Sequence, residues 1–186
     1  MALSEITNKV KVYNPYALYV TPYTSETTKG ATTYKLDEVI RDTTTISQED
    51  PTENKIENEF SSAPIINTVT LGSYTFSAEV ADMSPELLKI LCGYSTDTNN
   101  EKAYAPSTYA PVYAEISLVF AATGNKYIAA TLPKVQLNSK ATLDSLSTSM
   151  GRITLAGTAQ NIQVSDGTGV KNTPFYIDSN WTTAEL

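Results

Sequence analysis

From Tyr74 to Val80 the chain alternates without a fault. Tyr74, Phe76, Ala78 and Val80 fall on one side of an extended segment, and Ser73, Thr75, Ser77 and Glu79 on the other. A period of two marks a half-buried strand, and the extended reading reaches back to residue 65. The same period runs from Tyr113 to Phe120, with Ala114, Ile116, Leu118 and Phe120 opposite Tyr113, Glu115 and Ser117. Thr123-Gly124-Asn125 then separates it from a second run, Tyr127 to Leu137, which predicts a β-hairpin. Upstream, Lys9 to Val20 alternates and turns aromatic around Pro15, as a strand meeting an edge or bend does. Pro22 to Thr33 is polar and turn-like, pivoting on Gly30. Tyr34 to Ile46 reads as a strand broken by charge and Ser47 to Thr52 as a turn or loop, because Pro51 cannot donate to a ladder. Ile56 to Phe60 resumes alternation around Glu57 and Glu59. Together these segments predict a long charged hairpin.

One stretch has the other period. Ser84 as N-cap, Pro85 at the first helical position, Glu86 in the first turn, the apolar stripe Leu87, Leu88, Ile90 and Leu91, and Gly93 as the stop predict a helix over 84–93. Beyond it, 94–111 is linker-like, with Pro106 and Pro111. Ser139 to Met150 reads as a loop or a single helical turn. Arg152 to Val164 is a strand whose apolar parity shifts from Ile153 and Leu155 to Ile162 and Val164, which predicts a bulge near Gly157. Ser165 to Gly169 turns into a last strand, Val170 to Ile177. Strands, one helix, then strands predict a mainly β fold: one domain over 1–186, an antiparallel β-sandwich or barrel with one flanking α-helix and a long charged hairpin loop.

Composition changes this picture in two ways. The chain of 186 residues carries no histidine and one cysteine, so imidazole triads, zinc cages and thiol nucleophiles with an imidazole base are excluded, and no disulfide framework exists. Cys92 reads as a small buried hydrophobe. Without P-loop, dinucleotide, Gly-x-Ser-x-Gly or EF-hand patterns, neither an enzyme nor a cofactor is expected. No stretch is apolar enough to span a membrane and Met1 to Lys9 has no signal pattern, which predicts a soluble protein made in a cytoplasm. The net charge of -7 is concentrated: Asp37 to Ser62 holds eight acids against Arg41 and Lys55. That segment has no Gly to turn a cation-binding loop, so a solvated charged hairpin is preferred to a metal site. The 13 bases are scattered, which disfavours stable binding to a phosphate backbone.

The order of these features resembles a known family. Thr45 to Thr52, the acidic strand Glu57-Asn58-Glu59-Phe60, Ala63-Pro64-Ile65, Gly72 to Ser77, the helix from Ser84 to Gly93, Tyr127-Ile128-Ala129, Leu132 to Val135 and Ile153 to Ala159 are similar to the major tail tube proteins of tailed bacteriophages, over roughly residues 36–164. The Tyr-rich first 35 residues and 94–111 fall outside the likeness. The resemblance implies a homo-oligomer of stacked hexameric rings in a phage tail virion, assembled in the bacterial host cytoplasm. It implies as partners the tape-measure, tail terminator and baseplate or hub proteins, with double-stranded DNA passing the lumen without specific binding. It further implies that a loop over 42–62, carrying Asp42, Glu49, Asp50, Pro51, Glu53, Glu57 and Glu59, reaches an adjacent ring. Glu79 and Glu115, on polar faces of central strands, are the candidates for a repulsive lumen wall. Two other readings stand beside this one: a carbohydrate-binding or adhesin sandwich using Tyr94, Tyr104, Tyr109 and Tyr113, and a tube subunit of a contractile injection or secretion machine.

Overall fold

A computed structural model describes residues 15–58, 61–122, 126–143, 151–165 and 167–181. The main sheet is antiparallel and runs β2 (Tyr34–Leu36), β1 (Pro15–Pro22), β9 (Val112–Ala122), β10 (Lys126–Leu137), β12 (Arg152–Ala159), β6 (Tyr74–Val80), β3 (Thr45–Gln48). β11 (Lys140–Thr142) pairs with β12, and β15 (Tyr176–Trp181) takes the part of β10 that β12 leaves free. The sheet curls until its two edges are successive pieces of one stretch of chain. After β2, Val39 bridges Val80, the Ile40 N–H donates to the Glu79 carbonyl and the Ala81 N–H to the Glu38 carbonyl, both at 2.8 Å. The chain then turns at Arg41 and Asp42 and continues along β6 as β3. Crossing from one edge to the other in this way covers strand edges that would otherwise invite further pairing.

The alternating apolar residues fill the interior. Leu18, Val20, Phe76, Val80, Ile116, Leu132, Val135, Ile153 and Leu155 are all buried in one cluster. The helix α1 (Pro85–Cys92) closes it with Leu88, Ile90 and Leu91. Its ends are where the sequence puts them: Ser84 Oγ accepts from the Leu87 N–H, and Gly93 adopts φ 71°, the left-handed conformation that only glycine takes without strain. A second, smaller cluster lies on the outward face of β1, β9 and β10, where Trp181 stacks on Tyr19 beside Val119 and Ala129.

Five sequence expectations are corrected. Ser47 and Gln48 belong to β3 and Thr52–Asn58 forms β4, so the turn or loop expected over 47–52 shrinks to a three-residue connection, 49–51, between two strands. Residues 65–80 divide into β5 (Ser61–Thr70) and β6, in different sheets, with 71–73 between them. The segment 139–150 contains the strand β11, while 144–150 lies outside the described residues. Gly157 pairs regularly with Phe76 and Leu137. The parity shift has another cause: the strand ends at Ala159, and Ile162 and Val164 belong to a separate strand, β13 (Ile162–Ser165), paired with β14 (Val170–Thr173). The stretch 94–111 also holds a small pair, β7 (Ser95–Thr96) with β8 (Ala103–Tyr104). The turn expected at 123–125 lies outside the described residues.

Candidate assembly arm

β3, β4, β5 and β6 make one long hairpin whose strands keep a single register from Thr45 to Ile56, with shifts at Glu57 and Asn58. Thr45 faces Ser77 and Gln48 faces Tyr74 in the barrel, and Thr52 faces Thr70 and Ile56 faces Ile66 beyond it. The inner part is anchored on both faces. Ile46, Tyr74 and Phe76 join the core, while Thr45 with Ser77 (2.7 Å) and Ser47 with Thr75 (3.0 Å) share hydroxyl hydrogen bonds outside. At the root the Glu49 N–H donates to the Ser73 carbonyl at 2.9 Å. Gly72 is required there: a Cβ at this position would run into the carbonyl oxygen of Glu49.

The outer part, β4 with β5, is a two-stranded sheet of its own. Seven residues of strand give it a reach of about 23 Å. Thr52 to Ile56 on one strand and Asn67 to Thr70 on the other are exposed on both faces. Among them are apolar side chains that a free surface gains nothing by displaying, Ile56 and Val69, each 56% exposed, and Leu71, just past the end of β5, is 76% exposed. A two-stranded hairpin without a buried face is marginal in water.

The acids expected on the assembly loop separate along this structure. Asp42 sits below the arm in the turn joining the barrel edges, with φ 63°. Glu49, Asp50 and Pro51 are exposed at the root. Glu53 lies on β4 with its carboxylate 2.7 Å from the Lys55 ammonium. Glu57 lies on the same strand opposite Pro64, and Glu59 is outside the described residues. Among the described residues, no three Cys, Asp or Glu side chains form a group that could hold a metal. Sequence reasoning missed the apolar residues of β5 and the root glycine. The signal for both was Gly72, interrupting an extended stretch that was read as continuous.

Glu79 and Glu115 face outward, as alternation requires, but each has a cation beside it. Arg152 Nε is 3.4 Å from Glu79, and the Lys29 ammonium is 2.6 Å from Glu115, whose side chain is only 17% exposed. The four tyrosines of the carbohydrate reading have separate roles. Tyr94 packs on the main core, Tyr113 lies under the Lys134 ammonium at 4.5 Å, and Tyr109 bonds Asn138 and Gln136 of the neighbouring strand. Tyr104 and Tyr109 remain about half and two-thirds exposed. Two open clefts flank the barrel, one lined by Tyr23, Tyr34, Lys89 and Tyr113, the other by Tyr16, Leu36, Arg41 and Asp42. Cys92 is partly buried in the last turn of α1, and burial pushes its thiol up to about 11, the opposite of what a nucleophile needs. Among the described residues no helix is long and apolar enough to cross a membrane.

With this geometry in place, comparison with known proteins adds little. No protein-family model and no curated protein matches the chain. Among solved structures, a chain of the cryo-EM structure of the anti-feeding prophage (AFP) baseplate, 6-fold symmetrised, is similar over 96% of this chain and 98% of that one, with 10% sequence identity and a TM-score of 0.41. We infer neither fold nor function from a likeness of that degree.

Proposed function

We propose that this protein is a structural subunit of a phage tail tube, closing as six copies into rings that stack into a conduit for DNA during ejection. The observation that carries the proposal is the arm: a ribbon continuous in register with the barrel, exposed on both faces over 52–56 and 67–70 and displaying Ile56, Val69 and, at its root, Leu71. Such an element becomes stable when a neighbouring copy covers it. The acids at its root and along β4 keep free copies apart in solution until they meet in the right orientation. The sequence resemblance supports the same reading and supplies the expected partners, which are tape-measure, terminator and baseplate or hub proteins. The site of action is then the virion, after assembly in the host cytoplasm.

In this proposal Glu79 and Glu115 meet the lumen as ion pairs with Arg152 and Lys29. Each pair is near neutral, so in this proposal these two acids guide the duplex by weak rather than strong repulsion. Negative-stain microscopy of the concentrated protein tests the proposal. Six-fold rings or stacked tubes are expected, and a chain that stays monomeric even when tail initiator is supplied contradicts it.

A further inference from the structure

The arm has a neighbour of similar construction. β13 and β14 form a second two-stranded sheet, Ile162 facing Thr173 and Ser165 facing Val170, with Gln163, Ser165, Val170, Lys171 and Asn172 exposed. Like the arm, this ribbon is an excursion between two strands of the barrel, β12 before it and β15 after it. The two roots adjoin. β12 runs antiparallel to β6 with Thr158 opposite Thr75, so the chain leaves β12 for the ribbon beside the point where the arm returns into β6. Paired strands lie about 4.8 Å apart. Tyr74, the first residue of β6, and Phe175, which precedes β15, stack with ring centroids 5.0 Å apart and planes inclined by 15°. Both pack against the main core. Phe175 is held in place, since the Thr173 hydroxyl donates to its carbonyl at 2.6 Å and accepts from its N–H at 3.3 Å.

We propose that the two ribbons form one contact element for a second copy of this chain, and that Tyr74 and Phe175 are positioning residues that fix the β13–β14 ribbon against the root of the arm. The inference rests on the assembly function proposed above. Because the roots sit on paired strands, a copy that covers the arm near Leu71 also meets the ribbon. Val170, 63% exposed, offers the apolar contact on that side as Val69 does on the arm. A stacked aromatic pair suits the task because its geometry is directional, so it sets an angle as well as a distance.

Three full-length variants test this. Phe175→Leu keeps an apolar side chain but loses the stacked plane, Tyr74→Phe keeps the plane, and Val170→Asp changes only the exposed ribbon. Amide exchange is read on the free subunit, and the concentration at which particles form is read by sedimentation. Phe175→Leu is expected to speed exchange of the Glu49 N–H, on the other root, by about three- to tenfold, the range a lost aromatic pair implies, while Tyr74→Phe matches the wild type. Val170→Asp is expected to raise the assembling concentration about tenfold with an unchanged melting temperature. Assembly of Val170→Asp at the wild-type concentration overturns the ribbon as a contact. Unchanged Glu49 exchange in Phe175→Leu overturns the positioning role. A wild-type chain that forms no particles overturns the contact together with the proposed function, whereas the exchange measurement decides the positioning role independently of assembly.

Discussion

Cys92 ends α1 against the core, and its thiol keeps its proton well above the ordinary value of 9.0, up to about 11, because burial penalises the thiolate. The folded chain therefore holds a proton that the unfolded chain releases. Stability from the neutral thiol is fully present below pH 9 and is lost as pH rises through about 11. Tyr19 and Tyr23 are raised above 10.0 in the same way, each chiefly by burial and Tyr23 also by the charge of Glu115, so they extend the loss further into alkali. We expect urea midpoints to fall progressively from pH 9 upward and Cys92→Ala to lack the first part of that fall. A variant declining as steeply as the wild type between pH 9 and 10 would remove the thiol as its cause. Gly72 governs a different property. Adding a methyl there forces apart the Glu49 and Ser73 backbones, at a local cost of about 1–3 kcal/mol. Gly72→Ala should open the root of the arm, seen as lost protection of the Glu49 amide with barrel amides unchanged. Retained protection would show that the close approach is relieved elsewhere.

At the scale of elements, the arm and the barrel are separable. Replacing 52–70 by a two-residue Asn-Gly turn removes a ribbon that forms a sheet of its own and contributes no residue to either described core cluster. Circular dichroism and thermal melting should find the shortened chain folded, with its transition within a few degrees of the wild type; an unfolded product would make the arm part of the core. The same separability explains what the sequence disclosed. Strands with one buried face write their period into the chain, so β6, β9 and β10 were legible from Phe76, Ile116 and Val135. The helix was legible because Ser84, Pro85 and Gly93 act locally. A ribbon exposed on both faces over much of its length writes its period weakly, and the alternation at Ile56 to Phe60 points only to a charged hairpin. That is why the polar run around Pro51 suggests a turn or loop, although the chain is extended on both sides of it. The shift from Leu155 to Ile162 was real but marked a change of sheet. Of the candidate site, the charge was visible in composition, whereas the apolar contacts of β5 and the Tyr74–Phe175 stack depend on pairings between residues distant in sequence.

Taken whole, the described residues form one nine-stranded sheet that curls on itself, with the ribbons β4–β5 and β13–β14 and the small pair β7–β8 outside it. Nearly all of the chain's net charge of -7 lies between Asp37 and Ser62, and the acids there that the structure describes are spread over the barrel turn, the root and the arm instead of being gathered into a site. Glu79 and Glu115 on the barrel are paired with Arg152 and Lys29, so uncompensated charge sits mainly where copies would meet. Bringing such copies together costs electrostatic repulsion, which burial of Ile56, Val69 and Leu71 must exceed. The most direct measurement is amide hydrogen exchange over Thr52 to Thr70, compared between the free subunit and the assembled particle. Coverage by a neighbouring copy predicts fast exchange in the free chain and strong protection after assembly. Particles in which these amides still exchange as fast as in the free subunit would show that the arm is not what joins the copies.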